Sequence, residues 1–133
     1  MSPVSRVHLP DDGASVWAGM ADLVLVLPSG QELEAPYVGE PPHGDSFHAL
    51  TINGARLPGH VWGSRFAAAP DGRYLAVQWM RKMYERQTLV IDIEARRYLV
   101  LPTPVQDFRF DGVVLRGDGR SFDVEDSDGW IAF

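Results

Sequence analysis

Arg73-Tyr74-Leu75-Ala76-Val77-Gln78-Trp79-Met80 and, after a short break, Thr88-Leu89-Val90-Ile91-Asp92-Ile93 decide the fold class. Along the first segment Leu75, Val77 and Trp79 share one face. Along the second, Leu89, Ile91 and Ile93 share one face, and Thr88, Val90 and Asp92 share the other. This is a period of two, the mark of a β-strand, whose successive side chains point to opposite sides. Just upstream, Pro70-Asp71-Gly72 is a turn with a mechanism. Pro presets φ, Asp hydrogen-bonds back to the backbone, and Gly accepts positive φ. Ser64 to Ala69 leads into that turn as a short strand. Glu94-Ala95 makes a tight connection into Arg96 to Leu101.

The same style continues in both directions. Ala21 to Leu27 (ADLVLVL) is a continuous apolar run and predicts a strand buried on both faces. Pro28-Ser29-Gly30 turns the chain into Gln31 to Val38. Pro36, Pro41 and Pro42 predict loop over residues 36–45. Phe47 to Ile52 reads as a strand, and Asn53-Gly54 as a type I′ hairpin turn into Ala55 to Leu57. Downstream, Phe108 and Phe110 share a face of Gln106 to Phe110. Asp111-Gly112, Asp118-Gly119 and Asp128-Gly129 then introduce Val113 to Arg116, Arg120 to Val124 and Trp130 to Phe133.

The 13 Gly and 10 Pro fall between short apolar segments. No window of a dozen residues keeps a helical apolar stripe free of them. One turn within Met80 to Gln87 is the only helical alternative. The chain is expected to be a single all-β domain over residues 1–133, with nine to eleven strands spaced 6–12 residues apart. Antiparallel meanders and hairpins would form a sandwich or open barrel, with little or no helix.

Composition narrows the function classes. The 133 residues contain no Cys, which removes thiolate nucleophiles, disulfides and Cys-ligated metals. Met1 to Pro10 lacks the apolar core of a signal peptide, and the longest apolar run, Leu23 to Leu27, is far short of a membrane span. A cytoplasmic location is the expectation. The net charge of −6 argues against a general nucleic-acid binder, which needs a basic stripe. The charge is unevenly spread. Residues 60–104 hold seven bases and four acids, while residues 105–133 hold seven acids and three bases.

Phe66 to Leu101 reads FAAAPDGRYLAVQWMRKMYERQTLVIDIEARRYLVL. This stretch, about a quarter of the chain, resembles one blade of a β-propeller of the WD40 or TolB type. The resemblance rests on the Pro70-Asp71-Gly72 turn followed by Tyr74 to Val77, Leu89 to Ile93 and Tyr98 to Leu101. Residues 105–133 resemble a second, degenerate blade. A blade takes roughly 40 residues and a propeller at least about four blades, so this length excludes a closed monomeric propeller. The resemblance implies a platform for binding proteins.

Two segments are candidate partner-binding surfaces. Asp123, Glu125, Asp126 and Asp128 form an acidic patch, with Asp123 and Glu125 expected on one strand face. Arg81, Lys82, Met83, Tyr84 and Arg86 join two strands and are of types enriched in interfaces. Gly117 to Gly129 resembles a calcium loop superficially, but the EF-hand pattern fails at its first and last positions. His43, Asp45 and His48 would converge on a metal only if the loop folded around Pro41-Pro42 and a further ligand, His60 or His8, joined. No metal and no cofactor is expected. No nucleophile elbow, phosphate loop or His-Glu-x-x-His motif is present, and Ser64, Asp71 and His60 follow no catalytic spacing. No enzymatic activity is expected.

In size, acidity and missing chemistry the chain is similar to the immunity proteins of bacteria, which neutralise a cognate toxin by covering its active site. That likeness implies a protein partner with a basic surface, and no nucleic acid or membrane. The alternative is a self-associating assembly component of propeller-like type.

Overall fold

The computed structural model describes residues 4–42 and 44–133. Their strands are β1 (Val4–His8), β2 (Ser15–Val16), β3 (Asp22–Val26), β4 (Glu32–Ala35), β5 (Tyr37–Gly39), β6 (Phe47–His48), β7 (Thr51–Ile52) and β8 (Ala55–Arg56). The chain continues through β9 (His60–Ala68), β10 (Tyr74–Met80), β11 (Gln87–Asp92), β12 (Arg97–Val100), β13 (Arg109–Asp111), β14 (Val114–Gly117), β15 (Arg120–Asp123) and β16 (Ile131–Ala132). The described residues contain no helix, and no sheet closes into a barrel. The all-β, sandwich-like reading holds.

Three sheets stack. The outer sheet runs β1-β3-β4-β7-β8, and the third layer is the meander β13-β14-β15. Between them lies the central sheet β16-β12-β11-β10-β9-β6-β5, with β2 pairing the far half of β9. The segment from β9 to β12 is an antiparallel meander in sequence order. The pairs follow from the turns. Gly72, at φ 79°, donates its N–H to Ala69 O at 2.8 Å, and Asp71 Oδ1 accepts the Arg73 N–H at 2.9 Å. Asn53-Gly54 closes β7–β8 with φ of 50° and 80°, as a type I′ turn requires. Asp118-Gly119 closes β14–β15 in the same way, with φ of 51° and 74°.

Every residue of β10 is buried. Leu75, Val77 and Trp79 meet Phe66, Leu89 and Ile91 in a core shared with Leu23, Leu25, Leu33 and Ile52 of the outer sheet. On the opposite face Tyr74 and Ala76 join Ala67, Val90 and Leu99 in a second core, closed by Val105, Phe108, Phe110, Leu115 and Val124. The small side chains of Ala67, Ala69 and Ala76 leave room for those phenylalanines. Each large apolar side chain buried here stabilises by about 2 kcal/mol, so the two cores dominate the stability.

The structure corrects five expectations. The run Ala21 to Leu27 is buried on one face only: Leu23, Leu25 and Leu27 point inward, while Asp22, Val24 and Val26 are half-buried, because this sheet is an outer layer. β1 pairs β3 in parallel. Such a pair needs a long crossover, and residues 9–21 supply it by visiting the central sheet as β2. Residues 36–45 are not all loop. Pro36 turns the chain out of the outer sheet, and Tyr37–Gly39 forms the edge strand of the central one. Phe47 to Ile52 is not one strand but two, β6 in the central sheet and β7 in the outer one. Finally, the Gln78, Thr88 and Asp92 face is buried, since the third layer covers it.

Buried polar groups must find partners. Asp92, with a side chain of 0% exposure, takes two bonds from Arg73 at 3.3 Å, one from Arg97 Nε at 3.1 Å and one from the Ala95 N–H at 3.2 Å. Burial pushes its carboxyl up, and these donors together hold it below the usual carboxylate value. Asp92→Ala leaves Arg97 without its carboxylate and Arg73 with only the longer pair to exposed Glu94. The substitution is expected to lower the unfolding free energy by about 3 kcal/mol, read as a shift in urea midpoint at unchanged m-value. A midpoint within error of the parent would show that the site is held by packing alone.

Candidate functional site

Residues 81–86 join β10 to β11 and form no helical turn. A tight turn brings the Glu85 N–H to Lys82 O at 2.9 Å, with Tyr84 at φ 64°. Positive φ is uncommon in a tyrosine and strained, so something must hold it. The restraint lies beneath. Trp62 Nε1 donates to Glu85 O at 3.1 Å. The Arg86 guanidinium lies 4.3 Å above the Trp62 ring and bonds Asp45 at 3.1 Å and Ser64 at 3.3 Å. Phe47 meets Trp62, Tyr84 and His60 edge-on at 6.2, 6.5 and 5.5 Å. Phe47, Trp62 and Met80 form a small core of their own.

On this base Met83 is 67% exposed and Tyr84 54% exposed, flanked by exposed Arg81 and Lys82. Four of the five loop residues singled out from the sequence are therefore presented to solvent. The fifth, Arg86, is half-buried and acts as the loop's anchor.

Asp123, Glu125, Asp126 and Asp128 are all exposed, and among the described residues none of the four is in an ion pair. Their expected strand geometry is corrected. β15 ends at Asp123, and the chain turns sharply through Val124, which is buried. Asp123 Oδ1 caps the Asp126 N–H at 3.3 Å and Asp123 O accepts the Ser127 hydroxyl at 2.6 Å. Asp123 thus ends the strand, and Glu125 lies within the turn that follows.

The histidine cluster disperses. His43 lies outside the described residues. Asp45 is the partner of Arg86. His48 is wholly buried, with Nδ1 3.1 Å from Ala35 O and Nε2 3.0 Å from Ser46 Oγ and 3.1 Å from Gly19 O. The ring ties β4, β6 and the segment before β3 together. His60 lies 3.3 Å from Arg56, Ser64 binds Arg86, and Asp71 caps its own turn, so these three have separate partners. Of the four tryptophans, Trp17 is 63% exposed, while Trp62 is buried despite its neighbouring glycine.

Sequence reasoning missed one feature. A cleft of about 290 Å³ opens beside the 81–86 loop, lined by Ser64, Arg65, Gln78, Arg86, Gln106 and Asp107. It exists because β9 bulges. Val61 pairs Trp79 and Phe66 pairs Val77, so Trp62 to Arg65 stand opposite Gln78 alone. Bulges re-aim side chains. The bulged backbone is held from its other side, where Gly63 N–H donates to Ser46 O at 2.8 Å and Gly63 O accepts the Gly19 N–H at 2.8 Å. The far wall is equally fixed. Gln78 Nε2 donates to Val105 O at 2.6 Å, Thr88 donates to Gln78 Oε1 at 3.0 Å, and Val105 N–H donates to Thr88 at 2.9 Å. The sequence signal was available: two polar residues, Gln78 and Thr88, facing each other across otherwise apolar strands.

Burial, opposed by its backbone partners and nearby Asp22, keeps the His48 imidazole below its usual value. Burial, assisted by Arg56, does the same for His60. The folded state therefore excludes protons that the unfolded chain binds near pH 6.5. Stability is present above that pH and is lost as pH falls below it. The urea midpoint should drop between about pH 7.5 and 5.5, and His48→Gln should flatten the drop. An equal drop in His48→Gln would assign the effect to other groups.

The chain matches no family model, no curated protein and no solved structure.

Proposed function

We propose that the chain is a non-enzymatic protein-binding module, an immunity protein that neutralises a cognate bacterial toxin by covering its active site. The observation that carries this reading is the set of four exposed carboxylates at Asp123, Glu125, Asp126 and Asp128, none neutralised by an ion pair among the described residues. Free surface carboxylates accelerate encounter with a basic cleft and discriminate against acidic partners. A toxin that acts on an anionic substrate has such a cleft. Met83 and Tyr84, raised on the Trp62–Arg86 base, supply a second contact of the apolar and aromatic kind that anchors interfaces.

A second reading, self-association through sheet edges, has one observation in its favour. β16 is a two-residue outer strand of the central sheet, with Ile131 47% exposed. A bare edge is a template for another strand.

Co-expression with the product of the gene directly upstream, sized by light scattering, separates the two readings. A 1:1 heterocomplex is the expected result. A lone homo-oligomer would move the function to assembly. Within the heterocomplex, Asp123→Lys, Glu125→Lys and Asp126→Lys together should weaken binding well over tenfold, chiefly through association rate and with a reduced salt dependence. Unchanged affinity would remove that surface. Met83→Ala, at a side chain 67% exposed, should change stability by less than about 0.5 kcal/mol while raising the dissociation rate. An unaltered complex lifetime would confine recognition to the acids.

A further inference from the structure

We propose that the cleft between the β9 bulge and the Gln106–Asp107 wall is a carboxylate-binding site that receives an acidic side chain of the protein partner. The inference rests on the protein-binding reading and adds a second surface, opposite in sign to the acidic patch.

Charge is the first argument. The chain carries −6 overall, yet this lining holds two guanidinium groups, Arg65 and Arg86, against one lining carboxylate, Asp107, while Asp45 pairs Arg86 from outside the lining. Other clefts do not share this sign. One is lined by Asp22 and Glu34, and another by Glu32 and Glu34, with no basic residue in either lining.

Open hydrogen-bonding capacity is the second. Arg65 uses Nη1 for Ser15 at 2.9 Å and Asp107 at 3.1 Å. Arg86 uses Nη1 for Ser64 and Nη2 for Asp45. Nε of both guanidinium groups and Nη2 of Arg65 make no protein hydrogen bond among the described residues. Planar guanidinium groups with spare parallel donors suit a planar carboxylate.

Rigidity is the third. Arg86 is fixed by Trp62 and Asp45, Arg65 stands on the braced bulge, and the opposite wall hangs from the buried Gln78–Thr88–Val105 network. A preformed site loses little entropy on binding. At about 290 Å³ the cleft sits at the bottom of the range for ligand pockets, a size for one side chain. Asp107 is the internal competitor. Its side chain is 77% exposed and its pair with Arg65 is a surface pair, which contributes little and yields readily to an incoming carboxylate.

Titration of the purified chain with succinate, followed by the arginine Nε–Hε signals in nitrogen–proton NMR, tests the site without any partner. Saturable shifts of Arg65 and Arg86 are expected. Arg65→Gln should weaken binding at least several-fold, and Asp107→Asn, which removes the competitor and leaves the guanidinium groups in place, should tighten it several-fold. An acetylated glutamate peptide should bind more tightly than succinate if the source is a protein side chain. Tighter binding of succinate would assign the site to a free small carboxylate. Tighter binding of inorganic phosphate, absence of saturation, or indifference to both substitutions would overturn the proposal. Loss of succinate binding does not touch the reading of the acidic patch, which is scored by the heterocomplex. A heterocomplex unaffected by Arg65→Gln, with succinate binding intact, would overturn the partner assignment.

Discussion

Strand β10 constrains everything else. All seven of its residues are buried, so neither face tolerates water, and each requires its own layer. A sheet with one apolar face would be satisfied by a two-layer sandwich. Here the chain must supply a third layer, and residues 105–124 do so. The meander β13-β14-β15 is too small to stand alone, and its Phe110 and Leu115 are buried only because Tyr74, Ala76 and Val90 lie beneath them. The central strand and the third layer stabilise each other.

Burying a strand that carries Gln78 beside a strand that carries Thr88 and Asp92 creates a polar problem. An unpaired buried polar group costs about 1–3 kcal/mol, as much as a large apolar side chain gains. The chain resolves it with long-range partners. Gln78 and Thr88 clasp the backbone at Val105, which docks the start of the third layer in one register. Asp92 gathers Arg73 and Arg97 around the turn that leaves β11. These bonds add little net stability beyond avoiding the penalty. The effect of the Val105 bonds is to set where the third layer begins, and hence where the central sheet is left uncovered. The cleft and the 81–86 loop occupy that uncovered part.

Local chemistry made much of this legible. Asn53-Gly54, Pro70-Asp71-Gly72 and Asp118-Gly119 each need only their own residues to turn, and each turns as read. The meander from β9 to β12 follows from the Pro70-Asp71-Gly72 turn, the short connections after β10 and β11, and a period of two. What the sequence concealed depends on partners far along the chain. The parallel β1–β3 pair requires a crossover whose return cannot be seen in either strand alone. The alternation of Thr88, Val90 and Asp92 looks solvent-facing until the third layer is placed over it. Arg86 reads as a free interface cation, but its acceptor, Asp45, lies 41 residues away. Asp123 and Glu125 read as strand neighbours because nothing between them announces a break. The turn from Val124 to Ser127, held by the Asp123 carboxylate and carbonyl, makes it.

The bulge in β9 shows how a buried contact shapes an exposed surface. A Cβ on Gly63 would lie 2.5 Å from Gly19 O, 2.6 Å from Ser46 Oγ and 2.7 Å from His48 Nε2, too close for any side chain. Only glycine lets three segments converge there, and that convergence holds the backbone away from β10 so that Ser64 and Arg65 face the cleft. The orientation of two half-buried polar residues is thus set by a hydrogen-bonded histidine on the far side of the strand. The loop obeys the same logic, since Tyr84 keeps its positive φ above Trp62 and Phe47, drawn from two other parts of the chain, with the loop's own Arg86 stacked on Trp62. A surface supported in this way is ordered before any partner arrives, and binding to it proceeds with little loss of backbone freedom. That is the property a stoichiometric binding protein needs, and it arises here from the packing of the central sheet.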